Sequence, residues 1–500
     1  MKASIRNPLF FVLGLAFTLF TINSCKHKVP QDQSVVDGGY PEDVNRIIQL
    51  HCTIGPTGGG CHNSYGATNA AGLRLDTWDN LFYGSNHGAT VVPYDTINSP
   101  FLNSISPDSN LSPQTLPTMP YTGTNYSTTP LSTAEFLTIR NWIARGAPDK
   151  NGNIPFGDNP DTRQKIYLTE QGSDYLSAID VSRKVIMRNI PIGMVSNVIE
   201  APHCVRVSKD GKYAYVSFLS GDYIQKIDAT TDKVVASTRL SNGGAQWNVL
   251  MVSNDGTKLM IADFIRGVLQ FVRTSDMVNY DSIITGVSNV HGLASTPNFD
   301  TLFATVQYGN TILKYFPNRN YKKVTLDHNP STYDHFIRDP HEIQMVPDYS
   351  RYYVTCEYSN EVRVMDTHTD AILDSIPMPQ KPQDMAISKN KPYIFVSCME
   401  AQSTVAGTLG AIVVINYETD QIVKTIYGNF WQPHGISVDD NTGTFYVTST
   451  NQTGISVGHN HTSGGKHGWY NVYSIETLEP VSPHQFETLV LPYTSDSRFK

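Results

Sequence analysis

Hydrophobic spacing divides the chain into two stretches of different period. Up to about Gly152 the apolar residues recur at helical intervals. Val44, Ile47 and Ile48 share one face of "PEDVNRIIQLHC" with His51, and Phe136, Ile139, Trp142 and Ile143 form a stripe in "LSTAEFLTIRNWIARGAPDKNG". Pro41 and two acids open the first segment; Ser132 and Glu135 have capping-box spacing at the start of the second, which Gly146 and Pro148 end. Between them lie a short helical segment, "AAGLRLDTWDNLFYG", and a long polar stretch containing "LPTMPYTG". So few aliphatics over such a length require a surface to pack on, which a flat apolar macrocycle supplies.

From about Arg163 the pattern becomes short strand-like runs separated by turn residues, and it repeats. Six starts, at His203, Asn248, His291, His341, Gln383 and His434, follow one another at the forty-to-fifty-residue period of four-stranded propeller blades. A seventh blade is implied by "KIYLTEQGSDYLSAIDVSRKVIMRNIPIG", which matches the second to fourth strands of the repeat and lacks the first. The chain end must supply that strand, and Phe486 to Tyr493 is the expected donor, closing the ring and removing an open edge.

A third apolar run, Pro8 to Ile22, follows Lys2 and Arg6. It has the length of a signal-peptide core and falls short of the roughly 20 residues of a membrane-spanning helix. It closes on Ile22, Asn23, Ser24 and Cys25, which resembles a bacterial lipobox, with Asn23 standing where a small residue is usual. The resemblance implies export, removal of residues 1–24, lipidation of Cys25 and anchoring in the cell envelope, at the outer membrane, without spanning it. The alternative is an ordinary cleaved signal with a chance cysteine.

Composition narrows the partners. The 500 residues carry 37 Lys and Arg against 45 Asp and Glu, a formal net charge of -8, and no basic block beyond "CKHK", so nucleic acid is excluded as a partner. Of the six cysteines, lipid on Cys25 leaves five, too few for a complete disulfide framework. Cys204, Cys356 and Cys398 fall in strand-like segments and read as small buried hydrophobes.

Cys52 and Cys61 are the chemically informative pair. Eight residues separate them, Gly-rich from Gly55 to Gly60, and His62 follows directly. A c-type haem site normally has two residues between its cysteines. The fixed geometry of the ring edge and the iron demands only that the second cysteine and the histidine be adjacent, and Gly55, Pro56, Gly58, Gly59 and Gly60 let the inserted loop turn sharply. A Cys52–Cys61 disulfide hairpin is the alternative in an oxidising compartment.

The order of parts from Pro41 to Gly152, a helix ending in Cys, then Cys-His, "GLRLDTWDNLFYG", "TMP" and "IRNWIARGAPDKNG", resembles the small cytochrome c domains of bacterial exported lipoproteins. That resemblance implies one covalent haem c, with thioethers to Cys52 and Cys61, His62 as proximal iron ligand and Met119 as distal ligand. His51 and His87 are the other axial candidates, and the alternative for Met119 is a packing role. The repeats, with "YVTC" at Tyr353 and "YVTS" at Tyr446, resemble the seven-bladed propellers of the YVTN type.

The expectation is therefore multidomain: a small all-α cytochrome c-like domain followed by an all-β seven-bladed propeller. The boundaries are a signal at 1–24, a linker at 25–40, the haem domain at 41–155 and the propeller at 160–500. The expected function is electron transfer with a redox protein partner in the cell envelope, the propeller serving as docking module or as a catalytic redox module. The alternatives are a non-redox extracellular binding protein and a metal oxidoreductase. The metal reading rests on His203, His291, His341 and His434, which share one repeat position at the start of the innermost strands. Ring symmetry brings them to the mouth of the central channel, where they would hold copper or another transition metal. The plainer reading has them bonding neighbouring backbone. His459, His461 and His467, in a long insertion of the last blade, read as a solvated loop or as a cap bearing further ligands.

Overall fold

The protein is described from a computed structural model, over residues 36–53, 60–115, 118–120, 130–453 and 467–499. Seven four-stranded antiparallel sheets form the propeller. Blades 2 to 7 begin with the innermost strands Pro202–Val207, Trp247–Val252, Val290–Ser295, Pro340–Met345, Pro382–Ile387 and Pro433–Asp439. Each starts one residue before the position where the repeats were expected to begin. Middle strands such as Ile394 to Cys398 are buried on both faces, because each sheet is packed between two neighbours.

Blade 1 consists of Lys165–Glu170, Tyr175–Asp180 and Val185–Pro191, completed from the chain end as expected. The donor differs from the expected one. Pro492–Ser497 is the closing strand, pairing Ile166 with Ser497 and Leu168 with Ser495, whereas Phe486–Val490 is the outer strand of blade 7. Leu491, at φ 55°, breaks the single apolar run into these two strands, and blade 7 needs its own fourth strand to cover its third. Arg498, buried just beyond the closing strand, donates to the carbonyls of Gly211 at 2.8 Å, Pro160 at 2.7 Å and Asp161 at 3.0 Å, tying the chain end to blade 2 and to the segment entering blade 1.

The amino-terminal unit is less helical than a small all-α domain. Among the described residues it has four short α-helices: α1 Glu42–Ile48, α2 Trp78–Leu81, α3 Pro100–Ile105 and α4 Thr133–Ala144. The Gly-, Pro-, Asn- and Ser-rich backbone between them does not sustain longer ones. Helix α4 has the expected capping box, and its stripe of Phe136, Ile139, Trp142 and Ile143 is fully buried. Helix α3 lies inside the stretch that reads as polar loop; Pro100 opens it at the first turn and Phe101, Leu102 and Ile105 anchor it.

This unit packs on the outer strand of blade 1 and on blade 7. Phe82, Phe156 and Trp142 belong to the same apolar core as Leu176, Val185 and Met187. Arg183 pairs with Asp79 at 2.7 Å and lies over the Tyr83 ring; Asn189 donates to Asp95 at 2.9 Å; the Glu487 N–H donates to the His87 carbonyl at 2.9 Å.

Candidate functional site

Two sites emerge, one in each part of the chain. In the first, α1 runs into a π-helical turn, Gln49–Thr53, which carries His51 and Cys52; such local widening of a helix is frequent at functional positions. The inserted segment leaves and returns at a pinch. At Gly60 the backbone passes so close to Thr53 that a Cβ would sit 1.5 Å from the Thr53 carbonyl oxygen, so only glycine fits there. Asn63 Nδ2 donates to that same carbonyl at 3.1 Å, and the His62 N–H donates to the Cys52 carbonyl at 3.2 Å. The eight-residue spacing thus collapses, and Cys52 stands beside Cys61 and His62.

His62 is held in one tautomer. Its Nδ1 lies 3.2 Å from the Leu73 carbonyl oxygen, an acceptor only, so Nδ1 carries the proton and Nε2 keeps its lone pair. Burial lowers the His62 pKa and keeps the ring neutral. Cys52 and Cys61 are free thiols, not the alternative disulfide; Cys61 is exposed and Cys52 half-buried. Burial, with Cys61 adding, pushes the Cys52 thiol up to about 12. Two cysteines beside an imidazole presenting Nε2 are the donor set of a c-type haem, and the residues fit that group.

Of the axial candidates, His51 is engaged by Glu135, Nε2 to Oε1 at 3.3 Å; the His87 backbone is held by the Glu487 N–H of blade 7 on its carbonyl and, within its own turn, by its N–H donating to Ser85 Oγ at 3.1 Å. Met119 is exposed, so it fills no gap in the core, and its N–H donates to the Ser104 carbonyl at 2.6 Å at the end of α3. Cys25, Gly55, Pro56, Gly58, Gly59, His459 and His461 lie outside the described residues. His467 begins a strand of blade 7, with Nδ1 2.8 Å from the Thr488 carbonyl.

The second site is the channel mouth. Every innermost strand carries a β-bulge at its second or third residue, which turns that side chain out of the ladder. The bulge is stapled by a hydroxyl on the adjoining strand. Thr355 Oγ1 accepts from the Glu342 N–H at 2.9 Å and donates to the Gln383 carbonyl of the next blade at 2.8 Å; Thr305 does the same for Gly292 at 2.7 Å and His341 at 2.9 Å. Thr355 and Thr448 are the threonines of the two "YVT" strings, so that string has a physical role in joining blades.

The four histidines converge as expected, and Tyr493 of the closing strand completes their ring. Centroid separations are 6.1 Å for His203 to His291, 4.0 Å for His291 to His341, 6.0 Å for His341 to His434, 3.8 Å for His434 to Tyr493 and 4.5 Å for Tyr493 to His203. Asn248 and Gln383 hold the other two positions, buried like the histidines. The plain role expected for these histidines is present: the backbone of His341, Gln383 and Tyr493 hydrogen-bonds the rings of His291, His341 and His434. Nδ1 of His291 and of His341 has no hydrogen-bond partner, while His203 Nδ1 is met by Gln171 Nε2 at 3.1 Å. Burial and neighbouring imidazoles hold all four well below the usual histidine range, His434 at about 3, so they are neutral.

Beneath the ring lie Glu342, Asp384, Asp496 and Arg206. Burial and the Asp384 carboxylate push Glu342 up to about 8, and burial pushes Asp384 up to about 6 in spite of Arg206. Glu342 and Tyr493 are the site residues the sequence reading passed over. The proline before Tyr493, as before His203, His341, Gln383 and His434, was the available signal for the tyrosine; Glu342 has none.

No protein-family model matches the chain. Among curated proteins it is similar to Antigen Lp49 of Leptospira interrogans serogroup Icterohaemorrhagiae serovar copenhageni, 30% identical over 134 residues, which are 24% of this chain and 27% of that protein. The match thus spans about a quarter of that relative's length. Three solved structures are similar at low identity. A functionally unknown protein from Desulfotomaculum acetoxidans has a TM-score of 0.48 at 12% identity, covering 66% of this chain and 99% of its own. Dihydro-heme d1 dehydrogenase NirN has 0.45 at 13%, covering 83% and 94%. Kuenenia stuttgartiensis hydrazine synthase has 0.43 at 15%, covering 60% and 90%. At these scores and identities no activity passes from those proteins to this chain.

Proposed function

We propose that the protein is an exported, lipid-anchored electron-transfer protein of the cell envelope, carrying one haem c in a cytochrome c-like amino-terminal unit. The YVTN-type propeller is the module that meets its redox partner. The observation that carries this reading is the fixed tautomer of His62, which leaves Nε2 available beside two free thiols. The haem supplies a one-electron ferric/ferrous couple when bound. The chain's residues hold it in stated ways. Cys52 and Cys61 would hold the macrocycle through thioether bonds. His62 Nε2 would bind the iron, and the hydrogen bond of Nδ1 to Leu73 fixes the ring and raises its donor strength. Met119, exposed and held by its N–H on the Ser104 carbonyl, would supply the second iron ligand, since His51 Nε2 is engaged by Glu135.

The test is a pyridine haemochrome assay on protein made in a host with c-type maturation. The expected outcome is one covalent haem per chain, lost in Cys61→Ala and reduced to a single thioether with a shifted spectrum in Cys52→Ala. Covalent haem unchanged in both variants, or no Soret band in the parent, overturns the reading.

A further inference from the structure

We infer that the mouth of the propeller channel is a metal site, in which His291, His341 and Glu342, joined by His434, hold one divalent first-row transition-metal ion. This site is separate from the haem segment and does not rest on it.

Three observations converge. The donor atoms of His291, His341 and Glu342 lie within 4.8 Å of one another, a separation that small side-chain rotations close to the roughly 2.0–2.2 Å bonds of such an ion. Nδ1 of His291 and of His341 is without a partner although these residues are only 4–6% exposed; unpaired buried polar atoms are costly, and a metal bond removes that cost. The layer below sets the carboxyls of Glu342, Asp384 and Asp496 around Arg206, so an oxygen donor adjoins the imidazoles.

The fold itself does not require imidazole at these positions. Asn248 and Gln383 occupy the equivalent places in blades 3 and 6 on the same bulge, so the histidines are there for their lone pairs. His203 is left out of the ligand set because Gln171 engages its Nδ1. Imidazoles with one carboxylate select ions of the iron-to-zinc group and disfavour calcium and magnesium, which prefer all-oxygen shells.

The test uses untagged full-length protein, stripped with a chelator and dialysed against Co(II) or Zn(II). We expect one equivalent per chain. It is retained in the triple variant Cys52→Ser/Cys61→Ser/His62→Gln, where the absence of haem also exposes the visible Co(II) bands, and in His459→Ala/His461→Ala. Binding should weaken at least about tenfold in His291→Asn/His341→Gln, which installs the two amides the fold already tolerates, and also in the near-isosteric Glu342→Gln. X-ray absorption of the parent should show a nitrogen and oxygen shell without sulfur. Failure to take up metal, a sulfur shell, unchanged affinity in the amide variant, or loss of the metal with His459 and His461 each overturns the proposal. Should the amide variant not fold, Glu342→Gln and the absorption spectrum decide.

Discussion

Tyr493 stacks on His434, ring centroids 3.8 Å apart and planes 25° from parallel, although the two belong to different blades. His434 is the second residue of the innermost strand of blade 7 and Tyr493 the second of that of blade 1, so the chain end both closes the propeller and completes the ring of side chains at its mouth. A channel site in this protein therefore depends on ring closure.

Removal of residues 492–500 should abolish cooperative folding of the propeller, since blade 1 then exposes the edge strand Lys165–Glu170. The milder variant Arg498→Ala leaves the strand and orphans the carbonyls of Gly211, Pro160 and Asp161; a loss of about 3 kcal/mol in denaturant unfolding is expected. An unchanged midpoint for Arg498→Ala would show that water replaces the guanidinium without penalty.

Glu170 should make stability fall as pH rises. Burial pushes its carboxyl from 4.5 up to about 8, so between those values the folded chain holds a proton that the unfolded chain has released. The contribution is complete below pH 4.5 and declines through pH 8, by at most about 1.4 kcal/mol per pH unit. Measured from pH 5 to 8, the unfolding free energy of the parent should decline relative to that of Glu170→Gln. A constant difference would mean the carboxyl is ionised in the fold.

Met119→Ala should leave the haem covalently attached but remove the weak red to near-infrared charge-transfer absorbance of methionine-ligated ferric iron. The reduction potential should also drop if a nitrogen or water ligand takes its place, because a thioether favours the ferrous state. Persistence of the band in the variant assigns the sixth position to another residue.

Cys25→Ala should shift the protein from the membrane fraction to the soluble fraction or block its maturation, because one lipidated terminus is the only anchor the proposal invokes. Equal partitioning of the two forms would mark the signal as an ordinary cleaved one.

The periodic features of this chain were determined by the sequence alone. Six blade starts, the capping box of Ser132 and Glu135, and the convergence of four histidines follow from local spacing and from ring symmetry, which places equivalent residues on one circle. What lacked a local signature was decided in three dimensions. The run from Phe486 to Tyr493 is uniformly strand-like, and only the demand of blade 7 for a fourth strand and of blade 1 for a first one divides it at Leu491. The eight residues between Cys52 and Cys61 say nothing of where their ends meet; the pinch of Gly60 on Thr53 and the His62 to Cys52 hydrogen bond do. Glu342 is an ordinary acid in the sequence and joins the channel donors only because the bulge in its strand sets it beside His291, which lies 51 positions earlier. Local patterns record secondary structure and repeats, whereas donor sets and closing strands depend on contacts between distant segments, which appear only when the ring is complete.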